Sequence, residues 1–106
     1  MSDKPSVPGA PGGASVQVQI ELDPVIANGV FVNVAMVNHT DSEFTLDLLY
    51  LHPETPRATV RARAILTPRH MKRLILAMQE NMARYESTYG AVDPSPPPNL
   101  PRTVAN

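Results

Sequence analysis

The chain has 106 residues, 12 prolines, no cysteine and a formal net charge of -1. The length fits a single domain, and the near-neutral charge gives no overall attraction to anionic membranes or to phosphate backbones, which disfavours nucleic acid as a partner. The lack of cysteine excludes disulfides and thiolate metal sites. Because no apolar run approaches the roughly 20 residues of a membrane span and no signal peptide is recognisable, we expect a soluble, cytoplasmic protein.

The two ends of the chain differ in composition from the middle. Residues 1–15 contain three prolines and three glycines among small polar residues, which predicts a disordered N-terminal arm. Residues 93–106 are rich in proline and predict a disordered, extended tail. A single domain at 16–92 remains, and a core of this size is marginal unless a second copy covers part of its apolar surface. We therefore expect a homo-oligomer, a dimer or larger.

Apolar residues alternate with polar ones in the first part of this domain, which predicts four strands at about 16–22, 30–38, 43–51 and 59–66. The first is the most regular, and its apolar members are Val16, Val18, Ile20 and Leu22. The second is apolar nearly throughout, apart from Asn33, and suits a central strand covered on both faces. The turn-forming stretches 38–42 and 52–56 are short enough for hairpins. The geometry of 23–29 stays open, with a brief helical turn as one solution.

A long helix is predicted to follow the strands. Thr67 can cap its N-terminus, Pro68 suits its first position, and Gly90 is a natural stop. The predicted fold is thus α+β, a four-stranded antiparallel sheet followed by one long C-terminal amphipathic helix.

The helix carries an apolar stripe whose members are spaced alternately by four and three positions, widened by Leu74 and Ala77. Such a stripe packs either on the protein's own sheet or against a partner helix, and the sequence leaves both open. We take it as the candidate oligomer or partner interface. Its residues are Met71, Ile75, Met78, Met82, Tyr85 and Tyr89.

The sequence predicts no catalytic, cofactor-binding or metal-binding residues. Glu43 and Asp47 share a strand face, but across the hairpin they would meet arginines in ion pairs. The three histidines lack the spacing of a ligand motif, and no Gly-x-Ser-x-Gly elbow is present. A polar and basic surface within the stretch 57–73 is a further candidate site, although few aromatic residues accompany it. Its residues are Arg61, Arg63, Arg69 and Arg73.

Several short stretches resemble a family of short prokaryotic proteins known as domain of unknown function 3467. The resemblance covers about residues 16–92, leaves both tails outside it, and implies a compact domain with no assigned catalytic role. It rests on Glu21-Leu22-Asp23-Pro24, Ala27-Asn28-Gly29-Val30, Asn38-His39-Thr40 with Glu43-Phe44, Thr67-Pro68-Arg69-His70-Met71-Lys72-Arg73-Leu74, Asn81 and Tyr85-Glu86.

The order of elements also resembles that of SecB-type export chaperones, whose subunits associate through sheets and helices and hold unfolded polypeptide. This resemblance concerns architecture alone, without shared motifs. We expect a non-enzymatic homo-oligomer that acts as a protein-interaction or scaffold module. The alternatives are a SecB-like chaperone that binds extended polypeptide, and a protein that binds nucleic acid through the basic stretch.

Overall fold

The computed structural model describes residues 16–95 and the backbone of residues 104–105. Its centre is an antiparallel meander of three strands, β1 (Val34–His39), β2 (Phe44–Leu51) and β3 (Ala58–Leu66), with β2 in the middle. A two-residue strand, β4 (Val104–Ala105), pairs with the outer side of β1 at Ala35 and Met36. The α+β class with an antiparallel sheet and a C-terminal helix is therefore confirmed.

The predicted count of four full strands is wrong, because residues 16–22 take no part in the sheet. Gln17 forms a single β-bridge, and the rest of that segment has no regular secondary structure. The second predicted strand starts four residues later than expected, at Val34, and only that residue is buried. Alternation predicts that a strand will have one apolar face, but it does not say which edge receives the strand.

Asn33 explains how the chain enters β1. Its backbone N–H donates to the carbonyl of Leu49 at 3.0 Å, and its side-chain amide makes two bonds with the backbone of Leu51. The Oδ1 atom accepts from the Leu51 N–H at 2.7 Å, and Nδ2 donates to the Leu51 carbonyl at 3.3 Å. The polar residue that interrupts the apolar run thus satisfies backbone groups of β2 that a longer β1 would otherwise pair.

The two hairpin connections form as their residues predict. In the first, the hydroxyl of Thr40 accepts from the N–H groups of Ser42 and Glu43, and the Thr40 N–H donates to the Glu43 carbonyl at 2.9 Å. In the second, the His52 N–H donates to the Arg57 carbonyl at 2.9 Å. Both bring their strands back antiparallel.

A bulge interrupts the pairing of β2 with β3. Leu48 is opposite Ala62 and Leu49 is opposite Val60, so Arg61 is the extra residue on β3. A bulge bends its strand and sharpens the local twist. β3 is also the edge strand of the sheet within the described residues, and only Leu66 of its nine residues is buried.

The long helix α2 (Pro68–Tyr89) matches its predicted bounds. The hydroxyl of Thr67 accepts from the His70 N–H at 3.2 Å, and Gly90 ends the helix with a φ of 102°. The open segment 23–29 contains one helical turn, α1 (Pro24–Ala27), capped by the Asp23 carboxylate. The predicted arm 1–15 lies outside the described residues, as does most of the predicted tail. Within that tail, the pairing of 104–105 with β1 is a feature the sequence did not indicate.

The buried core is small. Among residues 16–95 it consists of Val34, Leu49, Leu66 and Met71, together with one buried carboxylate, Asp47. No strand packs extensively along α2 within the described part of the chain. The helix is therefore joined to the sheet at its first turn, where Leu66 and Met71 are buried.

Candidate functional site

The apolar stripe of α2 is the largest candidate surface. The helix has 22 residues, and at about 1.5 Å per residue it is roughly 33 Å long. Met71 is buried, but the other five members of the stripe are 42–74% exposed. Those residues are Ile75, Met78, Met82, Tyr85 and Tyr89. The stripe that the sequence predicts is present, and beyond its first member the described part of the chain leaves it exposed.

The middle of the stripe forms a shallow concavity. Met78, Met82 and Tyr85 line it together with Asn81, whose amide is bonded to the Ala77 carbonyl of the preceding turn at 3.3 Å. The rings of Tyr85 and Tyr89 lie 4.9 Å apart between centroids and continue the surface toward the end of the helix. Flexible methionine side chains beside aromatic rings suit a surface that contacts another apolar surface.

One exposed leucine lies outside this stripe. Leu76 is 55% exposed, and at about 100° per residue it lies on the face opposite Met78 and Met82. The heptad-like spacing does not include it. Its position provides an internal comparison for the stripe, because it is equally apolar and equally exposed but faces the other way.

The residues of the predicted basic surface lie on two elements. Arg61 occupies the β3 bulge, whereas Arg69 and Arg73 are exposed in the first two turns of α2. Arg63 forms a two-point ion pair with Asp47. Its Nε donates to Asp47 Oδ1 at 2.7 Å, and its Nη2 donates to Asp47 Oδ2 at 2.9 Å. One of the four positive charges is thus neutralised within the chain.

This ion pair is the cross-strand contact expected from the register of β2 and β3, but Asp47 is far more buried than a solvated pair would be. Its side chain is 1% exposed, against 60% for Arg63. The two hydrogen bonds from the guanidinium lower the pKa of the Asp47 carboxyl below its usual range, and the same bonds raise the pKa of Arg63. The pair is therefore a structural element of the hairpin.

An aromatic group at the end of β2 is a feature that sequence reasoning missed. The rings of Phe31 and Tyr50 meet edge to face at 6.1 Å, and those of Tyr50 and His52 at 5.0 Å. The His52 Nε2 atom is also 3.0 Å from the hydroxyl of Thr59. The signal available in the sequence was the spacing of Tyr50 and His52, since residues two apart on a strand share a face.

The described residues contain no cluster of three or more histidine, aspartate or glutamate side chains that could hold a metal ion. None of the helices in the same part of the chain combines the length and apolar character needed to cross a membrane.

Taken together, these features define a small α+β chain whose described residues expose an apolar helix face and the outer edge of β3. A family model described as "Protein of unknown function (DUF3467)" matches residues 1–94, so the chain belongs to this family. The match extends beyond the resemblance seen in the short stretches, because it includes residues 1–15. No curated protein and no solved structure matches the chain significantly.

Proposed function

We propose that this chain is a non-enzymatic protein-interaction module that acts as a homo-oligomer, assembled through the apolar stripe of α2. The observation that carries the proposal is the exposure of five large stripe residues, from Ile75 to Tyr89, on a helix along which no strand of the described residues packs extensively. A surface helix of a self-sufficient domain normally covers such a face against its own core. The four-three spacing fits the seam between two paired helices.

The energetics support association and also limit its strength. Full burial of a large apolar side chain contributes about 1.5–3 kcal/mol, so a half-exposed one still gains roughly 1 kcal/mol. Five such residues on each of two copies give about 10 kcal/mol, to be set against an association cost of about 4–15 kcal/mol. The stripe alone therefore gives weak to moderate pairing, and a second contact surface between copies would strengthen it.

The non-enzymatic part of the proposal is supported by the state of the ionisable groups. Among the described carboxylates, Asp47 has a displaced pKa, and the displacement is downward, away from the range useful to a general acid or base near neutral pH. Both of its oxygens accept bonds from Arg63. A carboxylate held in this way serves the hairpin and is poorly suited to proton transfer.

Substitution of Met82 by Glu tests the role of the stripe. The substitution places a charge at the centre of the proposed contact, where it would have to be desolvated, so we expect the oligomer to dissociate at micromolar concentration. The mass is measured by size-exclusion chromatography with light scattering. Glutamate is a good helix former, so the helix itself should persist in the circular dichroism spectrum.

The matched control is Leu76→Glu, which introduces the same charge on the opposite face at a residue of similar exposure. This variant should keep the mass of the unmodified protein. A strictly monomeric unmodified protein, or equal dissociation by both variants, would contradict assembly through the stripe.

The chaperone alternative uses a different surface. Because no strand of the described residues pairs with the outer side of β3, an extended polypeptide could add a strand there. This alternative predicts that β3 is protected from hydrogen exchange only when an unfolded polypeptide is added, measured with and without a denatured client protein.

A further inference from the structure

Residues 16–22 have the pattern of a strand, but apart from a single β-bridge at Gln17 they belong to no strand of the described sheet. The apolar members Val16, Val18, Ile20 and Leu22 are 40–69% exposed, and they alternate with Gln17, Gln19 and Glu21. Strict alternation over seven residues is typical of a strand with one covered face. In the single subunit that face is exposed to water. Four branched apolar side chains therefore lose the free energy that their burial would contribute.

In the described part of the chain, β3 has an unpaired edge to which a further strand could bind. Its nine residues pair with β2 on one side, and on the other side the described part of the chain supplies no strand. Half of the backbone N–H and C=O groups of β3 therefore point outward without a sheet partner. The outer side of β1 is less open, because Val104–Ala105 already pairs with Ala35 and Met36. β3 thus offers the longest free edge.

Charge decides which strand fits this edge. If two copies of β3 paired antiparallel about their centres, Arg61 of one would face Arg63 of the other. Asp47 compensates each Arg63, but both Arg61 charges remain, so the row would keep a net positive charge, and like charges across a strand pair are destabilising. Residues 16–22 contain no lysine or arginine and carry one acid, Glu21. The segment therefore complements an edge that would repel its own copy.

The two faces of the sheet fit the segment as well. On β3, Ala62 and Ala64 lie on the face opposite to Arg63, next to their partners Leu48 and Leu46 on β2. When Glu21 is placed beside Arg63, the apolar row of the segment falls on the alanine face and extends the half-buried leucines of β2. One placement thus satisfies the charge and the apolar face together.

We propose that residues 16–22 of one copy add as a strand to the free edge of β3 in a second copy, and that the two copies exchange these segments reciprocally. Such an exchange is isologous, so both edges are closed at once and no open edge is left to extend the assembly. The proposal goes beyond the stripe of α2, because it concerns the sheet edge and can hold or fail independently of helix pairing.

Engineered cysteines test the exchange without interference, since the natural chain has none. One tagged copy carries Gln19→Cys, and an untagged copy carries Arg61→Cys or Ile65→Cys on β3. After mixing and mild oxidation, we expect a mixed disulfide between the two copies for at least one of the two β3 positions. Asn28→Cys, in the exposed loop after α1, replaces Gln19→Cys as the control and should give none.

Hydrogen exchange of the unmodified protein gives an independent readout. We expect slow exchange for the backbone amides of 16–22 and of β3, lost in Gln19→Pro but kept in Gln19→Thr, because proline removes the ladder donor. The same mixing experiment in the Met82→Glu background should still give the mixed disulfide, which separates this proposal from the helix contact.

Three results would overturn the proposal. The first is fast exchange of β3 with no mixed disulfide at any position. The second uses a double variant that carries Gln19→Cys and the β3 cysteine in one chain. A disulfide that forms only within that chain would show that the segment pairs with its own sheet. The third is protection of β3 by an added unfolded polypeptide when no mixed disulfide forms, which would assign the edge to clients, as in a chaperone.

Discussion

At the scale of single residues, the Asp47–Arg63 pair shows how unequal burial divides the roles of two charges. Asp47 is 1% exposed while Arg63 is 60% exposed, so the carboxylate depends on the arginine for its hydrogen bonds, whereas the arginine still reaches water. The cross-strand meeting of these residues followed from alternation in the sequence. The depth of Asp47 did not, because it depends on how the neighbouring strands and the arginine stem cover it.

The asymmetry predicts that Arg63→Ala destabilises the fold more than Asp47→Asn. The first change leaves a buried carboxylate without its partner, whereas the second leaves an exposed guanidinium and an amide that still accepts one bond. Urea denaturation of both variants measures the order, with Arg63→Lys as a control that keeps the charge but loses the two-point contact. Equal losses for Arg63→Ala and Asp47→Asn would show that burial of Asp47 is unimportant.

Acid should remove the advantage of the pair. The pKa of Asp47 is lower in the folded chain than its ordinary value of 3.8, so the stabilisation is complete above that value and is lost as the pH falls through the folded pKa. The stability curves of the unmodified protein and of Asp47→Asn should therefore begin to converge as the pH falls below about 4, measured by urea denaturation at stepped pH. Curves that stay parallel to low pH would contradict this cause.

At the scale of elements, sequence reasoning succeeded where the partner of an element is local. β2, β3 and α2 were predicted because turns, caps and short connections fix their neighbours along the chain. The apolar–polar alternation of residues 16–22 is at least as regular as that of β2 and β3, yet the structure leaves these residues out of the sheet. A strand pattern specifies a covered face, and nothing in it distinguishes a cover supplied by the same chain from one supplied by another copy.

The helix start is an element whose local signal can be measured. Thr67 accepts from the His70 N–H at 3.2 Å, so Thr67→Ala should lower the free energy of unfolding by about 1 kcal/mol, while Thr67→Ser keeps the acceptor and most of the stability. Urea denaturation gives the free energies, and hydrogen exchange at His70 locates the effect. A Thr67→Ala variant as stable as the Ser variant would show that the cap contributes little.

At the scale of the whole molecule, apolar surface exceeds what one copy covers. The stripe of α2, the segment 16–22 and residues Val25, Ile26, Val30 and Phe31 are all exposed, while the core contains four apolar side chains. The sequence predicted this imbalance from the short length of the domain and from the stripe. It could not predict how the surfaces are arranged, because that depends on where α2 departs from the sheet.

Association makes stability depend on concentration. If folding and dimerisation are linked, each tenfold rise in protein concentration should add about 1.4 kcal/mol per dimer to the free energy of unfolding, seen as a rising midpoint in thermal scans. Leu76→Glu should follow the same trend, and Met82→Glu should weaken it. A midpoint that is constant over a hundredfold range of concentration would show that the subunit is stable alone.

The side chain of Asn33 has a consequence for how this protein could change over time. Its amide bonds to both the N–H and the carbonyl of Leu51, and these two bonds hold the start of β1 beside β2. The three-strand meander thus begins at Asn33. If residues 16–22 pair with a second copy as proposed, substitutions there should change which subunits recognise each other, while the hairpins after Asn33 keep their own backbone bonds.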